Sequence, residues 1–580
     1  MADCPDVKSV HKTSLFCLLA TGALLAFAET KSSGSTAPES KSRLPDQALD
    51  LRAFIASELA SGKKKVVIPP GRFRVKPSGG SHLWFRNLDD VQIIADGVEM
   101  ICTATVQAVG FDHCTNATLR GLTVDYDPLL FTQGKIVALG AEKSWVEFEL
   151  FGGYPEDGLE ERIEIFDPVT RELRRASHYG WGAFQRIGPR RYRISKGPKY
   201  HYRATEDIEQ VGDLLVTNNR TPERGGPHAV LLTDCSGITL QDVTLYASPC
   251  FGFLETDCTG STYLRCRIDR RAPADDPVPR ASPRLRSLNA DAFHSKNAAK
   301  GPAIIECFAH WQGDDCVNIN GRYYYVAGSQ GRTVRILAID KPVIAPGDTV
   351  EFLPYAGGPL PKAKAVSLAP SAEALSAAEQ AFLQNVQFVE SIRRRFSRGS
   401  KVYSLELDRE INPPPGSAVC ASSRIGKGFV VKNCDFGDNR SRGILIKASQ
   451  GEVAGNRIHR SRMAAVLILP EFEWMEAGCS SDVAVKDNTF EGIGQTPIRI
   501  LADGGNGKPL LAGAHRNISV LNNRFEDCSW PLVEANSVTG LTVSGNVWPR
   551  PEPPRSGATK PGKSPVPVLL LNCEETSISQ

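Results

Sequence analysis

The chain has 580 residues, with 68 Lys+Arg against 65 Asp+Glu and a formal net charge of +3 at pH 7. A balance this close to neutral leaves no electrostatic footprint for nucleic acid or for an anionic membrane surface. Hydrophobic residues make up 41% of the chain, enough for a large core, and an elongated repeat would absorb a length that otherwise suggests several domains.

Residues 1–28 have the layout of an export signal. His11 and Lys12 precede an apolar run from Leu15 to Phe27, and Ala26-Phe27-Ala28 offers small residues for cleavage near Ala28. The run is shorter than the roughly 20 residues of a membrane-spanning helix, and no later segment is long enough to span a bilayer. A secreted or periplasmic chain is expected, with residues 29–43 as a flexible N-terminus.

In segment 44–129, Leu51, Phe54, Ile55 and Leu59 share one face of a helix-periodic stretch just before Lys65-Val-Val-Ile-Pro-Pro-Gly71. An open solenoid end exposes apolar core and unpaired strand edges, so this helix is expected as a cap over the first coils. Asp125 and Asp127 read as turn residues. Segment 130–225 breaks the coil rhythm and carries strand alternation such as Val146-Glu-Phe148-Glu-Leu150; it reads as a β-rich insertion.

The repeat is visible in segment 226–321, where Asp234-Cys-Ser-Gly-Ile238-Thr-Leu240 recurs 23 residues later as Asp257-Cys-Thr-Gly-Ser-Thr-Tyr263. A second insertion, 322–418, contains Val350-Glu-Phe352. The phrase returns in 419–548 as Val430-Val-Lys-Asn433, Val453-Ala-Gly-Asn456, Val485-Lys-Asp-Asn488, Val520-Leu-Asn-Asn523 and Val543-Ser-Gly-Asn546. A coil of about this length, with alternating strands and Asn at the bends, suits a right-handed parallel β-helix. The Leu-x-x-Leu-x-Leu signature of a leucine-rich horseshoe is missing. The fold expected is an all-β solenoid with two inserted, barrel-like subdomains and a Pro-rich C-terminal arm over 549–580, from which Leu569-Leu-Leu571 could dock back.

Cys4 and Cys17 belong to the leader, which leaves 13 of the 15 cysteines. They lack the dense spacing of a stapled scaffold, and several sit beside repeat turns, as in Thr-Asp-Cys235, Thr-Asp-Cys258 and Lys-Asn-Cys434. They read as small buried groups stacked between coils. The odd number leaves at least one thiol unpaired or pairs it between chains, which keeps a homo-oligomer open.

The chemically pointed passage is Asn289-Ala-Asp291-Ala-Phe-His294, followed by Trp311-Gln-Gly-Asp314-Asp315-Cys-Val-Asn318-Ile-Asn320-Gly321. Asp291 and Asp315 are about one coil apart, so they are expected on adjacent strands at roughly 4.8 Å backbone spacing. Convergent carboxyls raise at least one pKa, which lets one act as general acid while another stays a base. Glycosidic hydrolysis uses two such groups, about 6.5 to 9.5 Å apart for inversion and about 5 to 5.5 Å for retention. Expected substrate-binding residues are His294, Trp311, Asn318 and Asn320, together with Arg442 and Lys447, which flank a strand a few coils away. Glu471 and Trp474 join them from a loop between coils, where binding residues collect. No metal and no cofactor are expected, since no Cys-x-x-Cys pair, His-Glu-x-x-His helix or Gly-rich phosphate loop occurs.

Asp291-Ala-Phe-His294 with Asp314-Asp315-x-x-Asn318-x-x-Gly321 resembles the active-site signature of glycoside hydrolase family 110. These α-1,3-galactosidases remove terminal galactose from blood-group-B-like and linear Gal-α-1,3-Gal structures. The resemblance extends to Asp125-Tyr-Asp-Pro128 with Gln133-Gly134, to Ser441-Arg-Gly-Ile-Leu-Ile446 and to Trp474-x-Glu476-x-Gly478, and covers most of the mature chain. It implies a β-helix with two insertions and an inverting, metal-free mechanism in which Asp291, Asp314 and Asp315 are catalytic. This sequence departs from the family pattern at Gly313 and Asn320, where the family tends to have His. A more distant resemblance, to the family 28 polygalacturonases, rests on Asn289-Ala-Asp291, Gly313-Asp314-Asp315-Cys316 and loosely Ile446-Lys447; their intervening Gly-His-Gly is absent.

The reading is an exo-acting inverting α-galactosidase working on galactose-terminated glycans, without nucleic-acid or membrane-spanning character. The alternatives are a polysaccharide endo-hydrolase or lyase on the same fold, and a non-catalytic carbohydrate-binding solenoid.

Overall fold

A computed structural model describes residues 46–579 apart from 176–180, 198–200, 205–206, 220–225 and 549–565. The expected leader and the segment 29–43 lie outside the described residues.

Each coil donates one short strand to each of three parallel sheets, of twelve, ten and eleven strands in the order in which a coil visits them, among the described residues, with one further antiparallel strand added to the third. One turn of the solenoid runs Thr239–Gln241, Thr244–Leu245, Phe253–Thr256, and the next Thr262–Leu264, Arg267–Ile268, Phe293–Lys296. Within a strand alternate side chains point inward, so register between coils stacks like on like. In the first sheet Ile304, Val431, Val453, Val485, Val520 and Val543 form one inward column, all buried. Burying each such side chain contributes about 1.5–3 kcal/mol, and a one-residue slip would turn the whole column to solvent.

Three residues after each column valine lies the bend. There Asn456, Asn488, Asn523 and Asn546 stack as a ladder: each Oδ1 from Asn488 onward accepts from the backbone N–H and the Nδ2 of the asparagine before it, at 2.9–3.0 Å. Asn433 is not a rung. It falls one residue short and takes a left-handed φ of 54°, while Cys434 occupies the ladder position and donates its N–H to Asn456 Oδ1 at 2.9 Å. The column thus continues upward in sulfur, with Cys307 N–H pointing at Cys434 Sγ, 3.4 Å away. Cys102 to Cys573 are all free thiols.

Replacing Asn488 with Ala leaves the buried Asn456 amide groups without their acceptor and is expected to cost about 1–3 kcal/mol. A urea titration reads this as a lowered midpoint at unchanged slope; an unshifted midpoint would contradict the ladder's role.

Helix α1, Leu51–Ala60, closes the N-terminal end: Asp50 caps it through Ala53 N–H, and Leu51 and Ile55 are buried against the first coils. At the other end the expected arm is in part solenoid. Val568–Leu571 extends the third sheet beside Val533–Asn536, and Ser577–Ile578 extends the first. Val568–Leu571 is apolar throughout, and the edge left by Val533–Asn536 gives it a strand to join. No helix among the described residues is long and apolar enough to cross a membrane.

The two insertions differ in form. The first, between Phe131 and Asn219, is an antiparallel seven-stranded sheet with its own core of Ile136, Val146, Phe148, Ile163 and Ile194. The second is a closed barrel running from Tyr324 to Ala421, with helices α2, Ala377–Asn385, and α3, Glu390–Gly399, between its strands.

Asp125 is not a turn residue. It lies fully buried in strand Thr123–Tyr126 and accepts from Arg284 Nη1 and Nη2 at 2.9 and 2.8 Å and from Arg271 Nη1 at 2.9 Å. The guanidiniums come from the long connection ahead of Asp291, so nothing local in the sequence marks the pairing.

Candidate active site

The third sheet carries the site on its outward face. Asp291 and Asp315 each stand two residues ahead of a strand, Phe293–Lys296 and Val317–Arg322, and these pair with Phe293 opposite Val317. Ala292 N–H donates to Asp315 O at 2.9 Å, so the two aspartates hold the same place on adjacent coils. Ile444 stands opposite Val317 on the following coil, which sets Arg442 in that place too. Phe251 holds it on the coil before. A second row reads His294–Asn318–Leu445 and a third Lys296–Asn320–Lys447. Asp314, beside Asp315 on its turn, completes a cluster in which oxygens of all three aspartates lie within 4.8 Å of one another.

A chain of hydrogen bonds orients the cluster. The Lys447 ammonium can only donate; it reaches Glu471 Oε2 and Glu476 Oε2 at 2.9 Å each and Asn318 Oδ1 at 3.3 Å. Asn318 Oδ1 also accepts from Asn320 Nδ2 at 3.1 Å, and that same Nδ2 lies 3.0 Å from His294 Nε2. His294 Nε2 is therefore the acceptor, and its Nδ1–H donates to Asp291 Oδ2 at 2.8 Å. A lysine two coils away thus sets which nitrogen of His294 carries the proton. Phe251 stacks on the imidazole with ring centroids 4.4 Å apart.

Burial pushes the His294 pKa down to about 4, so the ring is neutral. Burial raises Asp291 well above the usual carboxylate range, and the nearby Asp314 adds to it. Asp315 is pushed up to about 8 by burial and by its aspartate neighbours, against the pull of Arg442. Arg442 donates its backbone N–H to Asp315 Oδ1 at 2.8 Å and its Nη2 to Oδ2 at 3.0 Å. Asp314, the most exposed of the three, is paired with Arg440. Lys447 stays charged, because Glu471 and Glu476 outweigh the desolvation of its ammonium.

Both insertions supply walls. Glu164 of the first approaches Arg440 Nε at 3.6 Å and pairs with Arg286, whose Nη1 lies 3.4 Å from Asn289 Oδ1. From the second, Phe388 stacks on Phe472 at 5.5 Å. Phe472 and Met475 pack with Phe396 of α3, and so anchor the loop of Glu471, Trp474 and Glu476. Glu476–Ala477 then adds an antiparallel strand against Gly321–Arg322.

Nine of the eleven residues expected from sequence meet in this network: Asp291, Asp314, Asp315, His294, Asn318, Asn320, Arg442, Lys447 and Glu471. Trp311 packs instead against Arg270, whose guanidinium carbon is 3.4 Å from the ring centroid. Trp474 lies on the Glu471 loop with 46% of its surface exposed. Arg440, Glu164, Arg286 and Phe251 join the network with no motif to mark them, and Glu476, present in the Trp474-x-Glu476-x-Gly478 resemblance, gains a place in the site beside Lys447. Aligning the coil 313–321 with 440–448 would have found Arg440, since it then stands opposite Gly313.

The departures at Gly313 and Asn320 have structural reasons. A Cβ at 313 would lie 2.6 Å from Asn289 O and 3.0 Å from its carbonyl carbon, so this backbone admits only glycine. Asn320 is the link between Asn318 and His294.

The chain matches a family described as "Right handed beta helix region" over residues 397–548. Alpha-1,3-galactosidase B of Bacteroides thetaiotaomicron is 23% identical over 500 residues, 79% of this chain and 73% of that protein. Alpha-1,3-galactosidase A of Streptomyces avermitilis is 25% identical over 516 residues, 82% and 76% of the two chains. Among solved structures, the chain is similar to a family 28 exopolygalacturonase of Yersinia enterocolitica at 10% identity and a TM-score of 0.37, over 92% of this chain and 78% of that one. The chain is a right-handed parallel β-helix protein that resembles the α-1,3-galactosidases along most of its length.

Proposed function

We propose that the chain is an exo-acting glycoside hydrolase that releases terminal α-1,3-linked galactose from glycans with inversion, by general acid and base catalysis from Asp291, Asp314 and Asp315. The observation that carries the acid and base chemistry is the convergence of three aspartate oxygens within 4.8 Å on the outward face of one sheet; inversion rests on the resemblance instead, because this spacing is shorter than the roughly 6.5 to 9.5 Å usual for inverting pairs. Inversion needs one protonated carboxyl to cap the leaving oxygen and one carboxylate to draw a proton from water. Burial and mutual repulsion keep a proton on the Asp291/Asp315 pair near neutral pH, where unperturbed aspartates would have lost it. His294, donating from Nδ1, steadies the ionised form of Asp291.

Arg440, Arg442 and Lys447 hold the remaining carboxylates in place, so the sugar hydroxyls meet fixed donors and acceptors. Trp474 offers an exposed aromatic face to the apolar side of galactose.

The test is release of free galactose from an α-1,3-linked galactosyl disaccharide, with proton NMR following the anomer formed first. β-Galactose first supports inversion. α-Galactose first would instead make one member of this closely spaced cluster a nucleophile, and depolymerisation of a pectic polymer without galactose release would overturn the assignment. Because the acid must be protonated, kcat/KM is expected to fall as pH rises through about 8; a limb confined below pH 5 would contradict the perturbed pair.

A further inference from the structure

On the neighbouring, second sheet a different cluster forms from three coils. His310 ends strand Phe308–His310, Gly437 ends Asp435–Gly437, and His459 ends Arg457–His459, with His310 opposite Gly437 and Gly437 opposite His459. No side chain separates the two imidazoles, which converge over the glycine. A Cβ at 437 would lie 2.0 Å from His459 O and 3.0 Å from its ring Cγ. The two Nε2 atoms are 3.3 Å apart, and each faces Asp435 Oδ1, at 3.1 Å from His310 and 3.0 Å from His459. Behind the rings, Asp438 Oδ2 stands 3.5 Å from His310 Nδ1 and 3.8 Å from His459 Nδ1, held by Arg460 at 2.6 and 2.9 Å. His459 is 2% exposed and its Nδ1 has no hydrogen-bond partner.

Neutral imidazoles cannot satisfy every contact in this arrangement: a mixed pair of tautomers still turns one Nδ1 lone pair toward Asp438 and one Nε2 lone pair toward Asp435, and matched pairs do worse. With their protons on Nε2, both rings donate to one Asp435 oxygen and turn Nδ1 lone pairs toward the Asp438 carboxylate. With their protons on Nδ1, two lone pairs and a carboxylate oxygen face one another with nothing between them. A divalent ion in that space resolves both faults: the three inner atoms become ligands, and both Nδ1–H groups point at a carboxylate, the usual outer partner of a metal-bound histidine. The spacing also fits. Zinc bonds of about 2.0–2.2 Å set tetrahedral ligand atoms about 3.3 Å apart.

We propose that His310, His459 and Asp435 form a binding site for a divalent transition-metal ion, with Asp438 as its orienting carboxylate. Asp435 is 41% exposed, which gives the ion a path from solvent, and imidazole with carboxylate suits zinc. The ion ties three coils together beside the active site: His310 is four residues ahead of Asp314, and Asp438 two ahead of Arg440. No zinc signature was legible in the sequence, because the ligands stand 125, 24 and 149 positions apart.

The test is zinc titration of the chelator-stripped full chain against a chromophoric competitor, with the visible spectrum of the cobalt-loaded chain as a second readout. One tight ion per chain is expected, with the d–d bands of nitrogen and oxygen coordination. Binding is lost in His459→Gln, is weakened about 10–100-fold in Asp438→Asn, and persists in Asp315→Asn. If His459→Gln does not fold, Asp438→Asn decides in its place. No zinc bound by the stripped chain at micromolar concentration overturns the proposal and leaves the two histidines as partners of Asp435 and Asp438 alone. So does binding that Asp315→Asn abolishes and the Asp438 or His459 change leaves intact, which would place the ion among the catalytic aspartates.

Discussion

Changing Asp315 to Asn is expected to lower kcat by about 1,000-fold, within the range of a lost general acid or base, while KM changes little. The substitution is nearly isosteric. An asparagine Oδ1 can still accept the Arg442 N–H that Asp315 Oδ1 accepts at 2.8 Å, so the turn keeps its shape. What disappears is a group able to take up or release a proton beside Asp291. Steady-state kinetics on an α-1,3-galactosyl substrate supply the measurement, and kcat within tenfold of the parent would remove Asp315 from the chemistry.

The same variant has a stability signature. Burial pushes Asp315 up to about 8 in the folded chain, against about 3.9 for a free aspartate, so it binds a proton more tightly folded than unfolded. Its contribution is fully present below about pH 4 and is lost as pH rises through about 8. Asp315→Asn should therefore flatten the decline in stability across that window, read as a smaller difference in unfolding midpoint between pH 5 and pH 8.

Asp125→Ala is expected to destabilise the chain by about 3–5 kcal/mol, the cost of stranding a buried charge by removing its partner. Arg284 and Arg271, both almost fully buried, converge on this carboxylate. Arg271 also pairs with Glu99, and Glu99 with Arg72 at 2.8 Å. Arg284 Nε retains Asp276 at 2.8 Å, which keeps the loss from being larger. Burial alone would raise the Asp125 pKa, but the two guanidiniums outweigh it and hold the group below its ordinary value. Its contribution is therefore present above the unfolded pKa and lost as pH falls through the folded one. A guanidinium chloride titration at pH 7 should show the full loss, and one at acid pH a smaller one. Equal losses at both would mean that packing, not charge, holds Asp125 in place.

Much of the fold was legible because its signals are local. Valines recurring with Asn three positions on specify a strand and a bend, and the 23-residue interval between copies specifies a coil. Asn433 shows the limit: the phrase matches, yet Cys434 stands on the ladder, because one residue of register decides which side chain faces the bend. Asp125 shows another, since its partners lie 146 and 159 positions away. The aspartates were legible for the same reason as the coils: Asp291 and Asp315 are one period apart, and period predicts stacking.

By itself the sequence determined the repeat, the inward columns and the meeting of Asp291 with Asp315, all consequences of alternation and period. Tertiary structure alone decided that Arg442 stands next in that row across 127 positions, and that Glu476 and Lys447 govern the proton on His294. It alone brought His310, His459 and Asp435 together. A solenoid makes neighbours of residues one coil apart however long the intervening loop, and closing a longer loop costs little more entropy, so the chain carries no local mark of those meetings.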